Sequence, residues 1–180
     1  MRIVVSGTHA SGKSTLISDF AGRHPQFVVL TDPFESMDEA DDTPRASMFA
    51  AQLRIAAERL TEDGPADVIA ERGPLDFLAY LLALADLTGR PLDEDVLRLA
   101  TDRTAEALRT VDLLAVLPLT SADAIDVPTD EHLALREAMN DVLLELVDDS
   151  DIVGRTRVVE LTGSPAQRLH ALETLVAPED

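Results

Sequence analysis

Eight consecutive residues near the amino end, Gly7-Thr8-His9-Ala10-Ser11-Gly12-Lys13-Ser14, restrict the possible folds more than any other feature of the chain. They fit the pattern G-x-x-x-x-G-K-[ST], which needs a strand running in, a glycine turn, and a helix running out. The flanks supply both. Arg2-Ile3-Val4-Val5-Ser6 is β-branched and apolar, as a buried strand is. Leu16, Ile17 and Phe20 follow at helical spacing.

The residue types suit phosphate. Glycine permits the positive φ values that turn successive backbone N–H groups inward. The emerging helix adds its positive end at the same point. Lys13 would reach the β- and γ-phosphates and Ser14 would ligate Mg²⁺, with Thr15 as a second hydroxyl. Of the 15 basic residues in the 180-residue chain, Lys13 is the only lysine. A long flexible ammonium is kept where phosphate oxygens are expected. His9 reads as a spacer, because only the backbone matters there. Residues 7–15 are therefore expected to bind a nucleoside triphosphate, ATP with Mg²⁺.

A net charge of −19 argues against polyanion partners, since nucleic acid or an anionic membrane surface wants a basic stripe. There is no cysteine for a disulfide or thiolate metal site. The chain reads as one without a leader ahead of the first strand, and no apolar run in it approaches membrane-spanning length. The chain reads as cytoplasmic, a single domain over residues 1–180.

Strands and helices alternate, which implies a parallel sheet covered by helices on both faces. Further strands are expected at Phe27-Val28-Val29-Leu30-Thr31, Asp67-Val68-Ile69-Ala70-Glu71, residues 111–117 and Arg157-Val158-Val159-Glu160-Leu161. Thr43-Pro44 reads as an N-cap with proline at the first helical position, opening a helix to about residue 62. Pro74 opens a second, apolar nearly all round, expected to be buried by the core or by a second subunit in a homodimer. A helix carries Val96, Ala100 and Thr104, and a longer one Leu135, Met139 and Leu143. Residues 148–154 read as a loop, and Ser164-Pro165 caps the last helix. The economical topology is a three-layer sandwich around a five-stranded parallel sheet.

Ligands of open α/β sheets bind at the carboxyl ends of strands. Asp32 and Glu71 stand there, Glu71 followed at once by Arg72. One acid would serve Mg²⁺ and the other would accept a proton, while Arg72 meets developing charge.

These pieces resemble the small-molecule kinases of the phosphate-loop superfamily, on the nucleoside-kinase side. They include deoxyribonucleoside kinases and the ribosylnicotinamide kinase domain with its related small AAA-type ATPases. Asp32-Pro33 stands where deoxynucleoside kinases carry a Glu-Pro pair whose acid is the base. Phe49-Ala50-Ala51-Gln52, with Arg59 beyond, resembles the helix whose glutamine reads a nucleobase. Glu71-Arg72-Gly73 resembles the Glu-Arg-Ser motif serving Mg²⁺ and the reacting oxygen, and Asp76-Phe77-Leu78-Ala79-Tyr80 follows as in these families. Thr162-Gly163-Ser164-Pro165, with Arg168 beyond, resembles the loop passing the adenine ring. The resemblance implies roles for Lys13, Asp32, Glu71 and Arg72 in catalysis. It implies Ser14 and Glu71 at the metal, Gly163, Ser164 and Pro165 at the nucleotide, and Asp32, Phe49, Gln52, Arg72 and Phe77 at the acceptor. Phe34 and Tyr80 join Phe49 and Phe77 as rings able to sandwich a flat acceptor. The chain departs from the family in its shorter acid at 32, in Gly73, and in a lid, residues 120–131, without arginine. Arg136 is the nearest replacement, with Arg103 and Arg155 as others.

Acids at 32, 35, 38, 39, 41 and 42 would repel a nucleoside monophosphate. The expected reaction is transfer from Mg-ATP to the hydroxyl of an unphosphorylated, nucleoside-like molecule. The alternative is an adenine-nucleotide switch with slow hydrolysis and a protein partner. A guanine-specific Asn/Thr-Lys-x-Asp loop is impossible with Lys13 as the sole lysine.

Overall fold

The computed structural model describes residues 1–33, 44–119 and 133–177. Five strands, β1 (Arg2–Ser6), β2 (Val28–Leu30), β3 (Val68–Glu71), β4 (Leu113–Val116) and β5 (Arg157–Glu160), form one parallel sheet in the order β2-β3-β1-β4-β5. Among the described residues seven helices connect and cover them: α1 (Lys13–Arg23), α2 (Ala46–Thr61), α3 (Pro74–Thr88), α4 (Glu94–Leu108), α5 (Leu133–Leu146), α6 (Ser150–Val153) and α7 (Pro165–Val176).

β1 is central, and its run of β-branched residues is explained by cover on both faces. Alternate side chains point oppositely. Val4 joins Ala70 and Leu114 against α2, α3, α4 and α5. Ile3 and Val5 join Ile69 and Ala115 against α1 and α7. Phe20, wholly buried in this second cluster, meets the half-buried Phe27 edge-on.

The register positions the site. Val5 lies opposite Glu71 in β3 and Ala115 in β4, so β3 ends one residue short of β1. Leu30 pairs with Ala70, and Asp32 and Arg72 each stand two residues further along their chains.

Three elements differ from expectation. Arg45 is extended, at φ −130° and ψ 142°, so α2 starts at Ala46 and Pro44 lies ahead of it; Thr43 lies outside the described residues. The edge strand β2 has only three residues, with Val28 and Val29 exposed, in keeping with the shortness that protects sheet edges. A one-turn helix, α6, replaces the expected loop because Asp149 caps it, accepting from the N–H of Asp151. Ser164 caps α7 as expected: it accepts from Gln167 N–H, and the Gln167 side chain accepts from Ser164 N–H at 2.9 Å. The apolar circumference of α3 is met within the chain, by α2, α4 and α5.

Candidate active site

The chain enters the phosphate loop through Gly7 at φ 153°. A Cβ there would sit 2.8 Å from the Leu117 carbonyl and 2.7 Å from Ser11 Oγ. Ala10 at φ 53° and Gly12 at φ 90° continue the turn. A left-handed alanine costs about 1–2 kcal/mol, a local strain that bends the loop's N–H groups into a concavity. Lys13 opens α1 and is buried, 4 % exposed, its Nζ donating to the Thr8 carbonyl at 2.6 Å. Burial, then the Arg72 guanidinium, push its pKa down to about 7; Asp76, Glu71 and Asp32 oppose them. Ser14 Oγ donates to Glu71 Oε1 at 2.8 Å, so the two expected metal residues already touch. Thr15 lies exposed on α1.

Beside the loop, Arg72 Nε meets Asp32 Oδ2 at 2.8 Å. Arg72 is 4 % exposed and Asp32 13 %. Arg72 sits at φ 63°, a left-handed non-glycine held by its neighbours, as is common at functional sites. Burial works against its charge, but Tyr80, Asp32 and Asp76 outweigh burial and raise its pKa. Asp76 is wholly buried and takes three hydrogen bonds: Ser6 Oγ at 2.7 Å, Gly7 N–H at 2.9 Å and Gly73 N–H at 2.9 Å. Burial raises its pKa, against the opposing effect of Arg72 and of those bonds.

On the far side of Arg72, α2 places Phe49 and Gln52 inward. Phe49 stacks on Tyr80 with centroids 4.8 Å apart and planes at 8°, so no flat ring lies between them. Phe77 is wholly buried in the core cluster of α2, α3 and α5. Phe34, the acids from 35 to 42 and the lid at 120–131 lie outside the described residues. Gln52 is also wholly buried, yet neither its Oε1 nor its Nε2 has a hydrogen-bond partner among the described residues. Such an orphaned amide calls for an explanation.

Of the arginines proposed to replace the lid, Arg136 on α5 reaches the loop, its Nε donating to the His9 carbonyl at 2.9 Å. Arg103 and Arg155 are exposed elsewhere. Gly163, Ser164 and Pro165 lead into α7, whose buried Arg168 donates from Nη1 to the Ser11 carbonyl at 2.9 Å. The start of α7 and the phosphate loop are thereby joined. The cleft between Pro33 and the Glu71-Arg72 pair holds only about 10 Å³. A larger groove, about 400 Å³, lies at the sheet edge between β2 and the end of α2 and includes no phosphate-loop residue, so its size says nothing about the chemistry.

No family model matches the chain, and no curated protein matches it by sequence. Solved structures match it in shape. Deoxyadenosine kinase from M. mycoides, with products dCMP and a flexible dCDP bound, superposes with a TM-score of 0.73 at 16 % identity, over 98 % of each chain. Thymidylate kinase from Candida albicans gives 0.66 at 17 % identity, over 97 % of this chain and 89 % of that one. NadR in complex with NR gives 0.67 at 19 % identity, over 96 % of this chain and 50 % of that one. The chain has the fold of these phosphate-loop kinases.

Within this kinase fold, sequence reasoning brought Lys13, Ser14, Asp32, Glu71, Arg72 and Arg136 to one place, and the structure assembles them there. It assigned no job to Asp76, though one signal was visible. An acid three residues past Gly73, in an otherwise apolar helix, is where a carboxylate can accept from the N-cap amide. Tyr80 was read only as a ring, and its hydroxyl accepts from the His9 N–H at 3.3 Å.

Proposed function

We propose that the protein transfers the terminal phosphoryl group of Mg-ATP to a hydroxyl of an unphosphorylated, nucleoside-like small molecule. The observation that carries this is the meeting of two pairs at the strand ends: Ser14 with Glu71, and Asp32 with Arg72, each at 2.8 Å.

The first pair fits Mg²⁺, which takes one or two protein oxygens and completes its shell with phosphates and water. Among the described residues no group of three or more ligating side chains forms a cage, so the ion would arrive with the nucleotide. Ser14 would hold it directly and Glu71 directly or through water. An ion held by these two side chains would supply positive charge against the triphosphate. Lys13 would exchange the Thr8 carbonyl for those same oxygens, and Arg136 would add positive charge at the third loop residue.

Asp32 would orient the acceptor hydroxyl and take its proton as the new O–P bond forms and the bridging P–O bond to ADP breaks. Arg72 holds that carboxylate in place and meets charge developing on the transferred group. Gln52 supports a flat acceptor. An unpaired buried amide costs about 1–3 kcal/mol, and a ring edge offering one donor and one acceptor would satisfy both its atoms. The acids between Asp32 and α2 favour a neutral or cationic acceptor over one already phosphorylated. The neighbouring fold members, a deoxyadenosine kinase among them, add weight to a nucleoside.

The test is a panel of nucleosides and small alcohols with Mg-ATP. Turnover rising by orders of magnitude with one alcohol supports the reading. Slow hydrolysis unmoved by every alcohol would favour the nucleotide switch instead.

A further inference from the structure

Taking the Phe49 and Gln52 face of α2 as the acceptor side, as above, we propose that Tyr80 is a positioning residue that ties this side to the phosphate loop, so that a change at Phe49 is felt at His9. Three contacts meet on this one side chain. Its ring lies flat against Phe49, at 4.8 Å and 8°. The Arg72 guanidinium stands 5.3 Å from the same ring's centroid. Its hydroxyl accepts the N–H of His9 at 3.3 Å. One helical turn earlier on α3, Asp76 accepts the N–H of Gly7 at 2.9 Å. Residues four apart share a helix face. One face of α3 therefore holds the first and third residues of the loop. Arg136 holds the third from the other side, through the His9 carbonyl.

Packing alone does not account for the tyrosine. Phenylalanine would fill the same volume, and here the one polar atom of the ring serves both the His9 amide of the phosphate loop and the Arg72 guanidinium. The stack is tight: Phe49 is 2 % exposed and Tyr80 6 %. Packed side chains without free volume move together. An acceptor that reaches Gln52, one turn along α2 from Phe49, must displace the stack, and the Tyr80 hydroxyl moves with it. The His9 amide is then redirected at the loop residue that Arg136 also grips. Linkage makes the effect mutual: a nucleotide that takes the His9 amide frees the Tyr80 hydroxyl.

The test needs no acceptor. In ¹⁵N-labelled protein, Phe49→Leu is introduced in the parent and in the Tyr80→Phe background, reading the His9 amide resonance and Mg-ADP affinity. In the parent, Phe49→Leu should move the His9 resonance and change Mg-ADP affinity about fivefold, a typical coupling. In the Tyr80→Phe background the same substitution should leave both where they were, although the ring and its packing remain. The Gly7 amide, held by Asp76, should stay put throughout. Equal responses in the two backgrounds, or none in the parent, would overturn the proposal. Where Phe49→Leu does not fold, Phe49→Met keeps more of the volume and serves the same comparison. A protein that phosphorylates no alcohol but shows this dependence keeps the coupling and loses the kinase reading.

Discussion

Replacing Lys13 by methionine should stabilise the empty protein near neutrality while removing its grip on nucleotide. Lys13 is buried at 4 % exposure and its pKa falls from 10.5 to about 7. The unfolded chain holds that proton up to its ordinary pKa, while the folded chain gives it up about 3.5 units sooner. Between those values the unfolded state binds more protons, so stability rises with pH from about 7 to 10.5. Below pH 7 the whole penalty is present, about 5 kcal/mol at 1.36 kcal/mol per unit. At pH 7 it is about 4 kcal/mol, and at pH 10 about 1. Methionine matches the length of the buried stem but leaves the Thr8 carbonyl without its donor, which costs about 1–3 kcal/mol. The net is a gain of about 1–3 kcal/mol at pH 7 and no gain, or a loss of up to about 2 kcal/mol, at pH 10. Urea unfolding of both proteins without nucleotide, at several pH values between 6.5 and 10, reads this difference directly. Only the change between variants matters, so other titrating groups cancel. A parent as stable as Lys13→Met at pH 6.5, or a difference that does not shrink with pH, would refute the reasoning.

Phosphate oxygens should restore the Lys13 proton, so Mg-ATP binding at pH 8 should take up about 0.9 proton; calorimetry in buffers of different ionisation enthalpy checks this, and buffer-independent heats would count against it. Gln52→Leu should stabilise the empty protein by about 1–3 kcal/mol by removing an unpaired amide, and should raise the acceptor KM about 10- to 100-fold with the KM for ATP unchanged. Asp76→Asn should destabilise by about 1–3 kcal/mol, because either orientation of the amide turns an NH₂ toward the N–H of Gly7 or of Gly73; those two amides should lose hydrogen-exchange protection ahead of β1 and β4.

The strands and the phosphate loop are legible locally. Ile3-Val4-Val5 can only be a covered strand, and Gly7 to Ser14 reads through its own spacing. Local signals also mislead. Thr43-Pro44 has the form of a helix start, but Arg45 is extended and the helix waits until Ala46. The site is legible where residue type limits the job: a lysine after glycine, an acid at a strand tip. It is illegible where partners are far apart. Asp76 serves Ser6 and Gly7 across 70 and 69 residues, and only the pairing of β3 beside β1 brings them together. Tyr80 and His9 are separated by 71 residues, and nothing in a tyrosine on an apolar helix reveals where its hydroxyl points. The stacking of Phe49 on Tyr80 depends in the same way on how α2 crosses α3, which periodicity does not specify.

The most direct measurement is transfer of a labelled γ-phosphate from Mg-ATP to the best alcohol in the panel, comparing the parent with Asp32→Asn and measuring Mg-ATP affinity for both. Asp32→Asn should lower transfer by a factor of about 10² to 10⁴ while ATP binds almost as before. Transfer that survives the substitution, or ATP affinity that falls in step with it, would contradict the account.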